Sequence, residues 1–274
     1  MQLINDYKKV EYLLQLYEEG NRDFRGINLK GVDLQGVTLI GVDLSYANLI
    51  GTNLSRAFLT KSNLSYAQLN WANLSFVKLS EGNLTNSDLT KVNLSGAFMV
   101  KCQLSNAKLS GANLNYANLR SANLYHANLV GAKLQQANLR EAILTNANLN
   151  WANLTEAKLS GVKLEGTSLI GVKLIKAFLN GVNLSGIDLH GINLSEAKLN
   201  GANLENCYLL SADLTGAQMR YANLKGANLT HAKLNDAVME YAILTDAIIE
   251  EVDLSMTDAN QHYILSHDQQ LFTV

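Results

Sequence analysis

From Phe24 to Leu254 an apolar residue recurs at every fifth position without a miss. Of these 47 centres, all but Phe24, Met99, Met219, Met239 and Ile249 are Leu. Two residues before each centre, from Ile27 to Val252, stands Ala, Val, Ile, Ser, Thr, Cys or Gly. Between the two stands most often Asn or Asp, as in GANLNYANLRSANLYHANLVGA, residues 111–132. A period of five suits neither a helix, with about 3.6 residues per turn, nor an unbroken strand. It suits a short extended piece followed by a bend. In extended backbone the small residue and the Leu both point inward and the Asn or Asp points outward. The remaining two residues, rich in Gly, Asn and Ser, turn the chain. Bend after bend winds a solenoid whose coils stack about 4.8 Å apart.

The outward position tells how many units close one coil. The residues preceding every fourth centre run Thr38, Phe58, Lys78, Phe98, Asn118, Asn138, Lys158, Phe178, Lys198, Gln218, Val238. Only two of these eleven are Asn or Asp, against eight, seven and nine of twelve in the other three sets. One set in four differs from the rest, which predicts four faces and a coil of about 20 residues. Tyr46 with Tyr66, Tyr221 with Tyr241 and Trp71 with Trp151 also repeat at multiples of that length. The units make close to twelve coils, a rod roughly 55 Å long.

The array, with its A-(D/N)-L-x-x order, resembles the pentapeptide-repeat family over about residues 22 to 256. The resemblance implies an all-β fold, a right-handed quadrilateral parallel β-helix with the Leu and the small residue inside. The opening LLQLYEEGNRDFRGINLKGVDL is similar to the lead-in helix of cyanobacterial members. The family includes proteins that bind type II topoisomerases as DNA mimics. A DNA-mimicking binder or inhibitor of gyrase is therefore the alternative to a plain interaction scaffold.

Three segments follow: a capping helix over 1–21, an uninterrupted solenoid over 22–256 and a C-terminal cap or tail over 257–274. In the first, Val10, Leu13, Leu14 and Tyr17 form a helical stripe, with Asn5 or Asp6 to cap its start and Gly20 to end it. That stripe covers the first coil or, alternatively, receives a partner. In the last, Tyr263, Ile264, Leu265, Leu271 and Phe272 are too apolar for a free tail. They cap the final coil or form the seam of a homodimer, so monomer and C-terminal homodimer both stay open. Residues 1–20 lack a continuous apolar core, so no secretion signal is expected and the location expected is cytoplasmic. No stretch approaches a membrane span. The chain contains no Pro, as a ladder in which each strand donates to its neighbour requires.

Net charge is −2, but residues 236–274 hold eight acids and no Lys or Arg. Asp246, Glu250, Glu251 and Asp253 make this end a candidate acidic docking pole; otherwise it is a solvated surface. The shaft is mildly basic with scattered cations, which argues against direct nucleic-acid binding. Cys102 and Cys207 fill the inward slot as structural thiols too far apart to bond. His126, His190 and His231 do not cluster as metal ligands, and Ser recurs without a His and acid partner. No catalytic site, cofactor or metal is expected.

What remains is a rod that binds a protein partner, and the exceptional face is the candidate surface. Phe58, Lys78 and Phe98 stand on successive coils, as do Lys158, Phe178 and Lys198. Such rings and cations either support one another, at about 0.5–1 kcal/mol per exposed pair, or form a contact surface.

Overall fold

Each unit bends for the same local reasons. In the unit around Leu44, the Asp43 carboxylate accepts the N–H of Ser45 at 2.8 Å, an Asx turn that starts the corner. The N–H of Ala47 then donates to the Leu44 carbonyl at 3.1 Å and closes it. Such a turn needs positive φ at its second residue. Every such residue from Gly26 to Glu251 has it, at 52–71°. Gly fills many of these corners, but Tyr46 (60°), Trp71 (62°) and Trp151 (62°) adopt the same conformation. The closed ring of ladder bonds overrides their local preference, which disfavours this region by about 1–2 kcal/mol per residue.

The computed structural model describes residues 2–254 and Thr257, with side chains from Lys8 onward. Parallel bridges join residues 20 apart, as in Asp43 to Asn63 to Asn83, so each coil has 20 residues and four corners. Each side contributes one bridged residue, which is why continuous strands are not seen among the described residues. Along most of the rod the N–H of the Leu donates to the following coil and that of the polar residue to the preceding one. Leu54 reaches the Asn73 carbonyl at 2.7 Å and Asn53 the Val32 carbonyl at 3.0 Å.

The Leu and the small residue fill the interior, Leu134 and Leu139 at 1% exposure and Ala132 at 0%. Polar occupants of the small slot are satisfied locally. Thr52 Oγ1 donates to the Leu29 carbonyl at 2.7 Å and Ser62 Oγ to that of Leu39 at 2.9 Å. Cys102 and Cys207 donate likewise to Leu79 and Leu184, each at 2.8 Å. Burial pushes the Cys102 thiol up to about 12 and the Cys207 thiol to about 11, which shuts off thiolate chemistry. Outward amides stack in columns: Asn53 donates to Asp33, Asn73 to Asn53, Asn93 to Asn73 and Asn113 to Asn93, at 2.8–3.2 Å.

Helix α1 spans Gln2–Glu18. Val10, Leu13, Leu14 and Tyr17 pack on the first coil, with Leu13 fully buried. Gly20 (φ 97°) ends the helix, its N–H on the Tyr17 carbonyl and that of Asn21 on Leu16, the Schellman arrangement. The Tyr17 hydroxyl accepts the N–H of Ile40 at 3.2 Å, tying helix to coil. The helix starts earlier than expected, so Asn5 and Asp6 lie inside it rather than at its cap. No described helix is long and apolar enough to cross a membrane. Tyr263, Ile264, Leu265, Leu271 and Phe272 lie outside the described residues.

The ladder is interrupted between the coil containing residues 161–172 and the next. The bridges expected from Lys163 to Asn183 and from Ser168 to Asp188 are absent. On the other two sides of the same pair of coils, Lys158 still bridges Phe178 and Lys173 still bridges Asn193.

Candidate protein-binding face

Thr38, Phe58, Lys78, Phe98 and Asn118 form one bridged column, so the exceptional face exists as a surface. Lys78 Nζ sits 3.2 Å from the centroid of the Phe98 ring. Phe58 and Phe98 remain 44% and 42% exposed, so the cation covers neither. Phe76, at the adjoining corner, is 51% exposed and belongs to the same patch. Its ring lies over Gly96, where an added Cβ would meet Phe76 Cε1 at 2.6 Å. Gly96 thus serves twice: it takes positive φ (64°) and lets the ring lie flat. Gly36, Arg56, Phe58, Phe76 and Lys78 line a shallow cleft of about 470 Å³ on this face.

Phe76 was not among the candidates read from the sequence, because it occupies a turn slot rather than the outward slot. The signal was present in the corner column: Arg56, Phe76 and Gly96 follow one another at intervals of 20.

The second stretch of the column has a different character. Lys198 Nζ lies 4.6 Å from the Phe178 ring, and Phe178 is half-buried. Its neighbouring corners carry Glu156, Lys176 and Glu196, and Lys176 pairs with Glu196 at 3.3 Å. Between the two stretches Asn138 donates to Asn118 at 3.2 Å, an amide pair of the ordinary kind. Phe58, Lys78 and Phe98 therefore belong to one aromatic, cationic patch. Lys158, Phe178 and Lys198 belong to a separate, charge-compensated one.

Other aromatics stack along corners. Tyr46 and Tyr66 lie parallel at 5.0 Å, Tyr221 and Tyr241 at 5.1 Å, and Lys91 sits over Trp71 at 4.4 Å. At the acidic end Asp246, Glu250, Glu251 and Asp253 are all exposed but spread over different sides. Glu251 reaches His231 Nδ1 at 3.2 Å, and Glu240 holds Arg220 at 3.0 Å. Part of the acidic excess is thus met by the preceding coil. Among the described residues no group of three or more His, Cys, Asp or Glu could hold a metal ion.

Comparison with known proteins agrees with this geometry. No curated protein matches the chain. Among solved structures it is similar to HetL, a pentapeptide repeat protein involved in heterocyst differentiation regulation from the cyanobacterium Nostoc sp. strain PCC 7120. The two are 37% identical over 83% of this chain and 95% of HetL, with a TM-score of 0.57. A trypsin-treated form of QnrB1, a plasmid-mediated fluoroquinolone resistance protein, is 16% identical over 89% of this chain and 93% of its own, with a TM-score of 0.36. A pentapeptide repeat protein of the Arabidopsis thaliana thylakoid lumen is 26% identical over 47% of this chain and 70% of its own, with a TM-score of 0.22. The family model for pentapeptide repeats (8 copies) matches in successive segments that together run from residue 23 to residue 258. With this repeat over most of its length, the chain belongs to the pentapeptide-repeat family.

Proposed function

We propose that the chain is a non-catalytic interaction scaffold, a right-handed rod of about twelve coils that presents the Phe58, Phe76 and Phe98 patch to a protein partner. The observation that carries this reading is the patch itself. Three exposed phenylalanines adjoin Arg56 and Lys78 on one side of a rigid solenoid. Binding energy concentrates on aromatic and Arg anchors of this kind, and isolated exposed rings would carry no such meaning. Likeness to HetL, itself involved in heterocyst differentiation regulation, favours a regulatory role. A gyrase-binding DNA mimic finds less support. Such a mimic calls for acids spaced along the rod, whereas here they gather at one end and Glu240 and Glu251 have partners.

The test is Phe76→Asn. Asn tolerates the positive φ of 58° found there, so the fold stays intact. With a partner captured from cell extract, the affinity of the variant is expected to fall about thirtyfold, the ~2 kcal/mol typical of an aromatic anchor. Unchanged affinity with an unchanged urea midpoint would remove the patch from the contact surface.

A further inference from the structure

The interrupted ladder leaves strand chemistry unused in the middle of the rod. In the preceding coil the N–H groups of Leu144, Asn146, Leu149 and Trp151 donate to Lys163, Glu165, Ser168 and Ile170 at 2.8–2.9 Å. One coil on, the equivalent N–H groups of Leu164, Gly166, Leu169 and Gly171 have no such acceptor. The carbonyls of Asn183, Ser185, Asp188 and His190, which would receive them, take no N–H from that coil, and Asn183, Ser185 and Asp188 line the gap between the two. The gap is a cleft of about 570 Å³, within the size range of ligand sites.

The sequence explains the opening. The inward small slot, Ala in most coils, here stacks Val162 on Val182, Thr167 on Ile187 and Val172 on Ile192. The first two pairs of branched side chains stand beside the two lost bridges, where overpacking is relieved by backbone displacement, while beside the third the bridge from Lys173 to Asn193 remains. The corners around the cleft are all glycine: Gly161, Gly166, Gly171, Gly181, Gly186 and Gly191. Only the fourth corner of these two coils, away from the cleft, carries side chains at this position, Lys176 and Glu196. Leu164 and Leu169 are 5% and 6% exposed, where Leu144 and Leu149 are 1%, so the cleft also reaches the leucine column. Ile170, 57% exposed, lines it, and the ring of Trp151, 68% exposed, lies over the neighbouring Gly171.

We propose that this cleft is a strand-insertion site, which takes an extended segment of a partner polypeptide carrying small and leucine side chains at alternate positions. Opposed rows of unused strand donors and acceptors are complementary to extended backbone, and Leu164 and Leu169, buried beneath the cleft but less completely than their neighbours, to an inward apolar side chain. This is the chemistry of strand addition, in which main-chain bonds supply affinity and alternate side chains supply specificity. The cleft lies apart from the Phe58, Phe76 and Phe98 patch, and the inference does not rest on it.

The probe is a synthetic peptide copying residues 111–122, GANLNYANLRSA, which has the required alternation. Amide hydrogen exchange on the full chain is expected to find Leu164, Gly166, Leu169 and Gly171 at least a hundredfold faster than Leu144, Asn146, Leu149 and Trp151. The peptide is expected to slow the fast set at least tenfold. Replacing Val182, Ile187 and Ile192 together by Ala removes the overpacking, so the cleft closes and peptide affinity falls at least tenfold. Ile170→Asp, a change at an exposed rim side chain, is expected to weaken binding severalfold without loss of fold. A peptide that leaves the fast amides unchanged would mean a hydrated crack or bend only. Equal binding by both variants would place the peptide elsewhere, and either result overturns the proposal.

Discussion

Leu134→Lys is expected to yield no soluble folded protein. Leu134 is 1% exposed in the middle of the rod, with Leu and Ala above, below and beside it. The substitution forfeits the roughly 1.5–3 kcal/mol gained by burying a leucine. It also places an ammonium where no acid can reach, at a further cost of several kcal/mol. A coil of 20 residues leaves the interior no room to rearrange, because its four corners are fixed by bonds to both neighbours. Together the two terms approach the whole stability of an ordinary domain. Expression with assay of the soluble fraction checks this. A soluble Leu134→Lys protein with the wild-type circular dichroism spectrum would contradict the interior assigned here.

Proline placed in the ladder separates paired from unpaired positions. Asn113 donates its N–H to the Val92 carbonyl at 2.9 Å and its amide to Asn93 Oδ1 at 3.2 Å, and it accepts the N–H of Asn115 at 3.2 Å. Asn113→Pro loses all three and leaves the Val92 carbonyl stranded, for a cost on the order of 3 kcal/mol or more. At Asp188 the same change meets a different setting. Its N–H faces the cleft without a carbonyl acceptor, and only the bond from the His190 N–H to its carboxylate, 3.0 Å, is lost. Asp188→Pro is expected to cost about 1 kcal/mol. Urea unfolding of the two variants checks the contrast. Equal midpoints would mean that the ladder is continuous at Asp188.

Much of this architecture was legible in the sequence, and for a physical reason. A one-dimensional stack repeats the same contacts at every coil, so the period of five, the coil of 20 and the inward Leu column each follow from spacing alone. The bridges from Asp43 to Asn63 and from Phe58 to Lys78 have the register that the odd outward column predicted. Features that depend on contacts between coils were harder to read. Phe76 joins the patch because its ring crosses onto Gly96, a relation between corner residues that inward and outward alternation does not encode. Lys78 meets Phe98 while Lys198 meets Phe178, so stacking partners depend on side-chain lean along the rod as well as on column membership. The cleft was hidden for a related reason. Val162 and Thr167 each fit the small slot, and only their stacking on Val182 and Ile187 overfills it. At the N-terminus Asn5 and Asp6 read as caps, yet the helix extends past them to Gln2.

The contact assignment is tested most directly by placing a photo-crosslinking benzoylphenylalanine at Phe76 and, in a second protein, at Asn128, which is exposed on another side of the rod. After irradiation in whole-cell extract, the Phe76 position is expected to give one dominant crosslinked protein that the Asn128 position does not give. The product should disappear when Phe58 and Phe98 are also changed to Asn. The same product from both positions, or a product from Asn128 alone, would contradict the aromatic patch as the face through which this rod binds.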